Sequence, residues 1–346
     1  MLLGKSLTFM ALIRKAINTG YLKMAIFQRK MSLEKSAKII LKDCMNLQGN
    51  ESCLIVTDSN LKLIGEILLK NSLEITKKSK LILMEIPDAH GTEPPAEIAE
   101  EMLKYNVVLL PTTKSLSHTK ARNDASHKGA RIATLPGITE DMMQRTLDVD
   151  FQKIKEMNHN LISKLKDKKQ INISTELGTN LRLGTENREW ISDNGFYNTK
   201  GAFGNLPAGE VFIAPLENTA NGTLIVDASV GGLGIVDNNM GISINHGFIE
   251  NIEGGKVAKL FKNSLKNRFY KNVAELGIGT NYKAKITGNV LEDEKVSGTC
   301  HIAFGNNKHF GGKVDVPFHV DVVIKSPTIY ADNVLLMKNG KPNSWD

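Results

Sequence analysis

Four short apolar runs, separated by segments of helical period, constrain the fold of the first part of the chain most strongly. Each run is continuous, which is typical of a strand buried on both faces of a sheet. Between the first two runs, Ile64, Ile67 and Leu68 share one side of a helix. Strands that alternate with helices predict a parallel, doubly wound sheet over residues 32–147. The four runs are residues 53–56, 81–84, 107–110 and 132–135.

The pattern changes near residue 148. A long helical segment at 151–166 is followed by a hairpin signal at 176–179, and then by short β-like runs among frequent glycines. We therefore expect an α/β chain in two parts, in which the doubly wound N-terminal domain precedes a β-rich α+β metal-binding domain over residues 148–346. Residues 1–31 precede the first convincing element and are interpreted as a flexible extension.

Charge and cysteine content narrow the class of protein. The chain has 346 residues, with 44 lysines and arginines against 37 acidic residues and a formal net charge of +7. This charge is spread out and lacks interleaved aromatics, so no nucleic-acid partner is predicted. No run approaches the roughly 18–20 apolar residues that span a bilayer, so no membrane association is predicted either. Cys44, Cys53 and Cys300 form no CxxC pair or disulfide framework, which indicates the reducing cytoplasm.

The segment His319-Val320-Asp321 has the most chemical content. On a strand, residues two apart point to the same face, so His319 and Asp321 can reach one point in space. An imidazole and a carboxylate that converge suit a divalent metal ion, and the alternative is a His–Asp hydrogen bond without metal. His301 precedes a glycine-rich turn and adds a second imidazole.

Two acids upstream, in apolar and structured contexts, extend this site. Glu210 begins a strand after a Pro-Ala-Gly turn. Glu275 lies between apolar residues and the pair Gly277 and Gly279, which is interpreted as a turn because it does not complete a dinucleotide-binding fingerprint. Three carboxylates and two imidazoles in one β-rich domain predict a two-metal site.

Four segments, in this order along the chain, resemble the aminopeptidase T/aminopeptidase S family of metallopeptidases, the thermophilic type of leucyl aminopeptidase. The segments are NLPAGEVFIAP, VAELGIGTN, EKVSGTCHIAFGNNKHFGG and FHVDVVI. The resemblance implies a homodimer with two divalent ions (zinc, cobalt or manganese) that activate water to hydrolyse N-terminal residues from a peptide substrate. The ligand positions of that family match Glu210, Glu275, His301, His319 and Asp321 here.

This chain departs from the peptidases at two positions. They carry two adjacent glutamates where this chain has Gly209 and Glu210, and a tyrosine where it has Lys308. The resemblance implies that Glu210 is a metal ligand or the general base, and that Lys308 takes the place of the group that stabilises the oxyanion. Residues 117–119 and Arg122 of the first domain are expected to wall the cavity.

Two other functions stay open. The same superfamily includes 2,5-dihydroxypyridine dioxygenase, a ring-opening enzyme with one ferrous ion, which resembles this chain at His319 and Asp321. It has a histidine where this chain has Glu275 and lacks the counterparts of Glu210 and His301, so the sequence favours the peptidases. The alternatives to a metallo-aminopeptidase are a mononuclear iron dioxygenase, with His301, His319 and Asp321 as a 2-His-1-carboxylate iron site, and a non-catalytic relative that binds metal or peptide.

Overall fold

The computed structural model describes residues 21–345. The expected flexible extension therefore falls largely on residues 1–20, which lie outside the described residues, while residues 21–31 belong to a helix. In the part that is described, no helix is both long enough and apolar enough to cross a bilayer. One parallel and two antiparallel sheets make a mixed α/β architecture, which confirms the predicted fold class.

Helices and strands alternate in the first part, and strands dominate the second. The helices are α1 (Tyr21–Lys38), α2 (Lys62–Ile75), α3 (Ala96–Met102), α4 (Lys120–His127), α5 (Glu140–Thr146), α6 (Phe151–Leu165), α7 (Lys256–Ser264) and α8 (Val290–Asp293). The strands are β1 (Cys53–Asp58), β2 (Ser79–Met84), β3 (Val107–Leu110), β4 (Arg131–Thr134), β5 (Gln170–Ser174), β6 (Asn180–Gly184), β7 (Ile191–Asp193), β8 (Phe203–Asn205), β9 (Glu210–Ile213), β10 (Asn221–Val226), β11 (Ser229–Val230), β12 (Gly234–Ile235), β13 (Met240–Asn245), β14 (Phe248–Glu253), β15 (Val273–Gly279), β16 (Thr299–Gly305), β17 (His319–Lys325), β18 (Thr328–Ala331), β19 (Val334–Lys338) and β20 (Lys341–Pro342).

The first sheet is parallel throughout, with the strand order β2-β1-β3-β4-β8. Cys53 and Ile55 enter the hydrophobic core on one face, and Leu54 and Val56 enter the core on the other. Burial on both faces explains why these strands are continuous apolar runs, and it confirms the doubly wound sheet. The edge strand β8 comes from the region that the sequence assigns to the second domain.

Two antiparallel sheets pack face to face in the second part. Their strand orders are β14-β13-β10-β6-β5-β18-β19-β20 and β12-β11-β17-β16-β15-β9-β7. Leu224 and Ile173 of the eight-stranded sheet share one hydrophobic core with Leu276 and Ile302 of the seven-stranded sheet, as in a β-sandwich. The opposite face of the seven-stranded sheet carries the polar side chains of the candidate site.

Helix α6 connects the two parts and belongs to both cores. Phe151 and Ile154 near its start pack in the first domain, whereas Leu161 and Leu165 near its end pack in the sandwich. Between these two apolar ends lies Asn158, which is fully buried. The helix therefore fixes the first domain against the sandwich and brings one buried amide to the boundary between them.

Candidate metal centre

Four neighbouring strands bring the five predicted ligands to one face of the seven-stranded sheet. Alternate residues of a strand share a face, and the residues between the ligands, such as Leu276, Ile302 and Val322, enter the sandwich core. The ligands are therefore directed away from that core. His319 and Asp321 lie on β17, His301 on β16, Glu275 on β15 and Glu210 at the start of β9.

The turn prediction for Gly277 and Gly279 is wrong, because both lie in β15. A Cβ atom at Gly277 would lie 2.0 Å from Cε1 of His301, its partner across the sheet. A Cβ atom at Gly279 would lie 2.1 Å from the carbonyl oxygen of Val296. Glycine inside a strand marks the close approach of another group, and here the two glycines admit an imidazole ring and a backbone segment over the sheet.

The ligand atoms form two overlapping groups that share Glu275. Glu275, His319 and Asp321 offer one group of atoms within 4.8 Å of one another, and Glu210, Glu275 and His301 offer the other. Glu275 Oε1 lies 3.3 Å from His301 Nε2, and Glu275 Oε2 lies 3.4 Å from His319 Nε2. The two oxygens of Glu275 thus face different imidazoles.

The orientation of His319 suits a metal ligand. Its Nδ1 lies 2.8 Å from the carbonyl oxygen of Asn306, which can only accept, so Nδ1 carries a proton. Its Nε2 faces Glu275 and Asp321, and the distance to Asp321 Oδ1 is 3.5 Å, longer than a normal hydrogen bond. Nε2 is thus the atom that carries a proton or binds a cation between the two carboxylates, and a carbonyl-oriented imidazole is the usual arrangement at metal sites.

The ionisation of the site also favours bound positive charge. Burial alone would raise the pKa of Glu275, but the imidazoles of His301 and His319 lower it to about 2. Burial would lower the pKa of His301, but Glu275 and Glu210 raise it to about 9. Glu210 Oε2 is buried and accepts no hydrogen bond from any described residue. Buried carboxylates require a compensating positive charge close by, so the donor set fits a divalent ion.

Aromatic rings from both domains wall the space beside His319. The ring of His118, from the loop before α4, stacks on His309 with 6.0 Å between centroids and 25° between planes. Phe310 packs edge-on against His319 at 5.9 Å and against Phe212 at 5.8 Å. His118 is an exposed residue of this wall, and the surrounding protein together with the nearby imidazoles of His319 and His309 lowers its pKa.

The other predicted wall residues support this loop. Thr119 Oγ1 accepts a hydrogen bond from Arg122 N and so caps α4. Arg122 Nε donates to the carbonyl oxygen of Ser117 at 2.7 Å, and its guanidinium lies 4.0 Å from the ring centroid of Phe203. Of the predicted wall, His118 is the residue whose ring contacts the second domain.

Lys308 lies on the surface beside the site. Its side chain is 58% exposed, and Nζ lies 2.5 Å from Asp315 Oδ2. The structure thus pairs Lys308 with a carboxylate other than the five ligands.

Two buried residues at the site carry no sequence signal that points to them. Lys295 forms an ion pair with Glu210, and Asn158 donates to the Glu210 carbonyl oxygen at 2.9 Å. Lys295 follows three acids in a polar stretch that is typical of a solvated surface, and Asn158 is one polar residue within a helix. Only the three-dimensional arrangement identifies them.

Known proteins are similar to this chain over most of its length. A family model described as NicX: 2,5-dihydroxypyridine 5,6-dioxygenase matches residues 76–343. The chain is 24% identical to the 2,5-dihydroxypyridine 5,6-dioxygenase of Pseudomonas putida, over 76% of this chain and 83% of that protein. A solved 2,5-dihydroxypyridine dioxygenase from P. putida KT2440 is similar with a TM-score of 0.80 and 17% identity, over 91% of this chain and 98% of that chain. AmpT from Thermus thermophilus is similar with a TM-score of 0.69 and 16% identity, over 90% of this chain and 99% of that chain.

The predicted metallo-aminopeptidase, with its hydrolase and protease class, is wrong. The family model and the curated relative both point to a dioxygenase, and the likeness to AmpT shows the fold alone. The misassignment has a physical origin, because a shared set of metal-ligand positions specifies the surroundings of an ion but not the reaction. The family and the clustered side chains still indicate a metal-dependent enzyme.

Proposed function

Since the chain belongs to the 2,5-dihydroxypyridine 5,6-dioxygenase (NicX) family, we propose that it is a metal-dependent dioxygenase that opens a hydroxylated aromatic ring. In this reaction a bond between two ring carbons breaks, and each of those carbons takes one oxygen atom of O₂. The electron-rich ring supplies the electrons, so no further reductant is required. The observation that carries the proposal within this family is the group Glu275, His319 and Asp321 beside an aromatic wall.

We assign one metal ion to Glu275, His319 and Asp321, in place of the two ions that the sequence suggests. Two carboxylates and one imidazole form an oxygen-rich donor set that suits ferrous iron or manganese better than a soft metal. When bound, a ferrous ion supplies the redox chemistry through which O₂ reacts with the ring. The Asn306 carbonyl holds the His319 ring in the orientation that directs Nε2 to the ion.

The aromatic wall gives the substrate its place. A flat ring packs favourably against other rings, and His118, His309 and Phe310 provide such surfaces next to His319. Because the pKa of His118 is lowered, its imidazole is neutral at pH 7. A neutral imidazole accepts a hydrogen bond, so we assign His118 to bind and orient a ring hydroxyl of the substrate.

Oxygen consumption tests this function. Protein purified without oxygen and loaded with ferrous iron is mixed with 2,5-dihydroxypyridine and with other dihydroxylated rings. We expect one O₂ consumed per ring opened, and both atoms of isotopically labelled O₂ in the product. His319→Ala removes an ion ligand and should abolish turnover, whereas His159→Ala changes an exposed histidine of α6 and should leave it intact. Oxygen uptake no faster than that of His319→Ala with every ring would overturn the proposal.

A further inference from the structure

Lys295 is a buried lysine surrounded by carboxylates at the edge of the metal centre. Its side chain is only 2% exposed. Nζ lies 2.5 Å from Glu210 Oε1, 2.8 Å from Glu294 Oε1 and 3.4 Å from Asp193 Oδ2. A buried ammonium is unfavourable unless it is paired and hydrogen-bonded, so this arrangement requires those carboxylates.

The backbone fixes Lys295 at this place. The segment 295–296 crosses over Gly279, which is the partner of Glu210 in the sheet register. Asn281 N donates to the carbonyl oxygen of Lys295 at 2.8 Å, and Lys295 N donates to that of Glu292 at 2.9 Å. Because Gly279 lacks a side chain, Lys295 lies against the strand and reaches Glu210 directly.

Lys295 also resolves a repulsion within the sheet. Glu210 on β9 pairs directly with Asp193 on β7, and like charges at such cross-strand positions are destabilising. The Lys295 ammonium contacts both carboxylates.

Glu210 is therefore already provided with a cation. One of its oxygens is bound by Lys295, and the other faces His301 at 3.5 Å. The group Glu275, His319 and Asp321 has no lysine or arginine paired with it among the described residues; its basic neighbours are the two imidazoles, which are neutral when a metal ion binds. The two overlapping groups of ligands thus differ in what a metal ion would gain by binding.

We propose that Lys295 takes the place of a second metal ion, so that the centre binds one ion at Glu275, His319 and Asp321. The ammonium neutralises Glu210 and repels a divalent ion from the position between Glu210, Glu275 and His301. Lys295 is therefore a selectivity residue that sets the number of ions. The inference rests on the proposed function for the identity of the enzyme, but the metal count is measured without turnover.

Metal content tests the inference. Metal-free protein is dialysed to equilibrium against excess Mn²⁺, and manganese per chain is determined by elemental analysis. We expect one ion in the unmodified chain and two in Lys295→Met, which keeps an unbranched side chain as far as Cε and removes the ammonium. Paramagnetic resonance separates an isolated Mn²⁺ ion from a coupled pair. Two ions in the unmodified chain, or one in folded Lys295→Met, would overturn the inference.

Two further variants keep the test decisive. Glu210→Gln should still bind one ion, since Glu210 is not a ligand of that ion, and loss of the ion in this variant would contradict the inference even if Lys295→Met fails to fold. Lys295→Met combined with Glu210→Gln should return from two ions to one. If the ion count follows these expectations while no ring consumes O₂, the dioxygenase proposal fails and the role of Lys295 stands.

Discussion

Asn158 ties helix α6, which packs in both cores, to the sheet of the metal centre through a set of buried hydrogen bonds. Its Nδ2 lies 2.9 Å from the Glu210 carbonyl oxygen, 3.1 Å from that of Asp193 and 3.0 Å from Ser192 Oγ. Its Oδ1 accepts from Thr280 Oγ1 at 2.7 Å. Asn158→Ala would remove all four contacts from a site that is closed to water, and we predict a large loss of stability.

The size of the loss follows from these contacts. A hydrogen bond contributes about 1 kcal/mol net, and a buried group left without its partner costs about 1–3 kcal/mol. The carbonyl oxygen of Asp193 keeps a second donor, Gly209 N at 3.1 Å, so the loss of its bond to Asn158 costs an amount at the lower end of this range. We therefore expect Asn158→Ala to lower the free energy of unfolding by about 4 kcal/mol, a large part of the roughly 5–15 kcal/mol that stabilises a typical domain.

Urea unfolding at constant temperature measures this loss. Fluorescence of Trp190 and Trp345, both in the sandwich core, is followed together with far-UV circular dichroism, because coincident transitions are required for a two-state treatment. Asn160→Ala is the matched control, since Asn160 is exposed on the same helix. If Asn158→Ala unfolds within about 0.5 kcal/mol of Asn160→Ala, the reasoning is refuted, because that is the usual scatter of surface substitutions.

Two other predictions concern the same face of the sheet. Gly277→Ala places a Cβ atom 2.0 Å from the His301 ring and should lower the free energy of unfolding by about 1–3 kcal/mol. The control is Gly241→Ala, whose nearest contact would be at 3.8 Å. Equal thermal unfolding of the two variants would count against the steric argument. In metal-free protein, the raised pKa of His301, about 9 against an ordinary 6.5, stabilises the fold fully below pH 6.5, so the melting temperature should fall as the pH rises from 6.5 to 9. The lowered pKa of Glu275, about 2, stabilises the fold above pH 4.5, and that contribution should be lost as the pH falls toward 2. A metal-free melting temperature that is flat across both intervals would contradict this assignment of charges.

The parallel sheet is predictable from the sequence because its strands are buried on both faces. Leu54 and Val56 enter one core while Cys53 and Ile55 enter the other, and such burial leaves continuous apolar runs. The edge strand Phe203–Asn205 leaves no such run, because it is short and contains a glycine. Its place beside β4 depends on the packing of a distant segment, which local periodicity does not encode.

The candidate ligands are predictable for a similar reason, whereas the residues that control their charge are not. The two-residue spacing of His319 and Asp321 places both side chains on one face of a strand. The burial of Lys295, by contrast, results from the absence of a side chain at Gly279, a residue that the sequence suggests for a turn. A glycine in a strand indicates that something lies close above it, but the sequence does not say what.

This chain has Gly209 where the metallopeptidases that it resembles carry a glutamate, and the structure explains why a glycine is required there. Gly209 has a φ of +128°, and a Cβ atom there would lie 2.8 Å from Asn281 Cβ. Asn281 in turn donates to the carbonyl oxygens of Thr146 and Ala208, so it ties the first domain to the start of β9. A second glutamate before Glu210 is therefore excluded by the contact that docks the domains. The glycine at 209 removes a negative charge next to Glu210, and Lys295 adds a positive one. Both changes make the binding of a second divalent ion beside Glu210 less favourable.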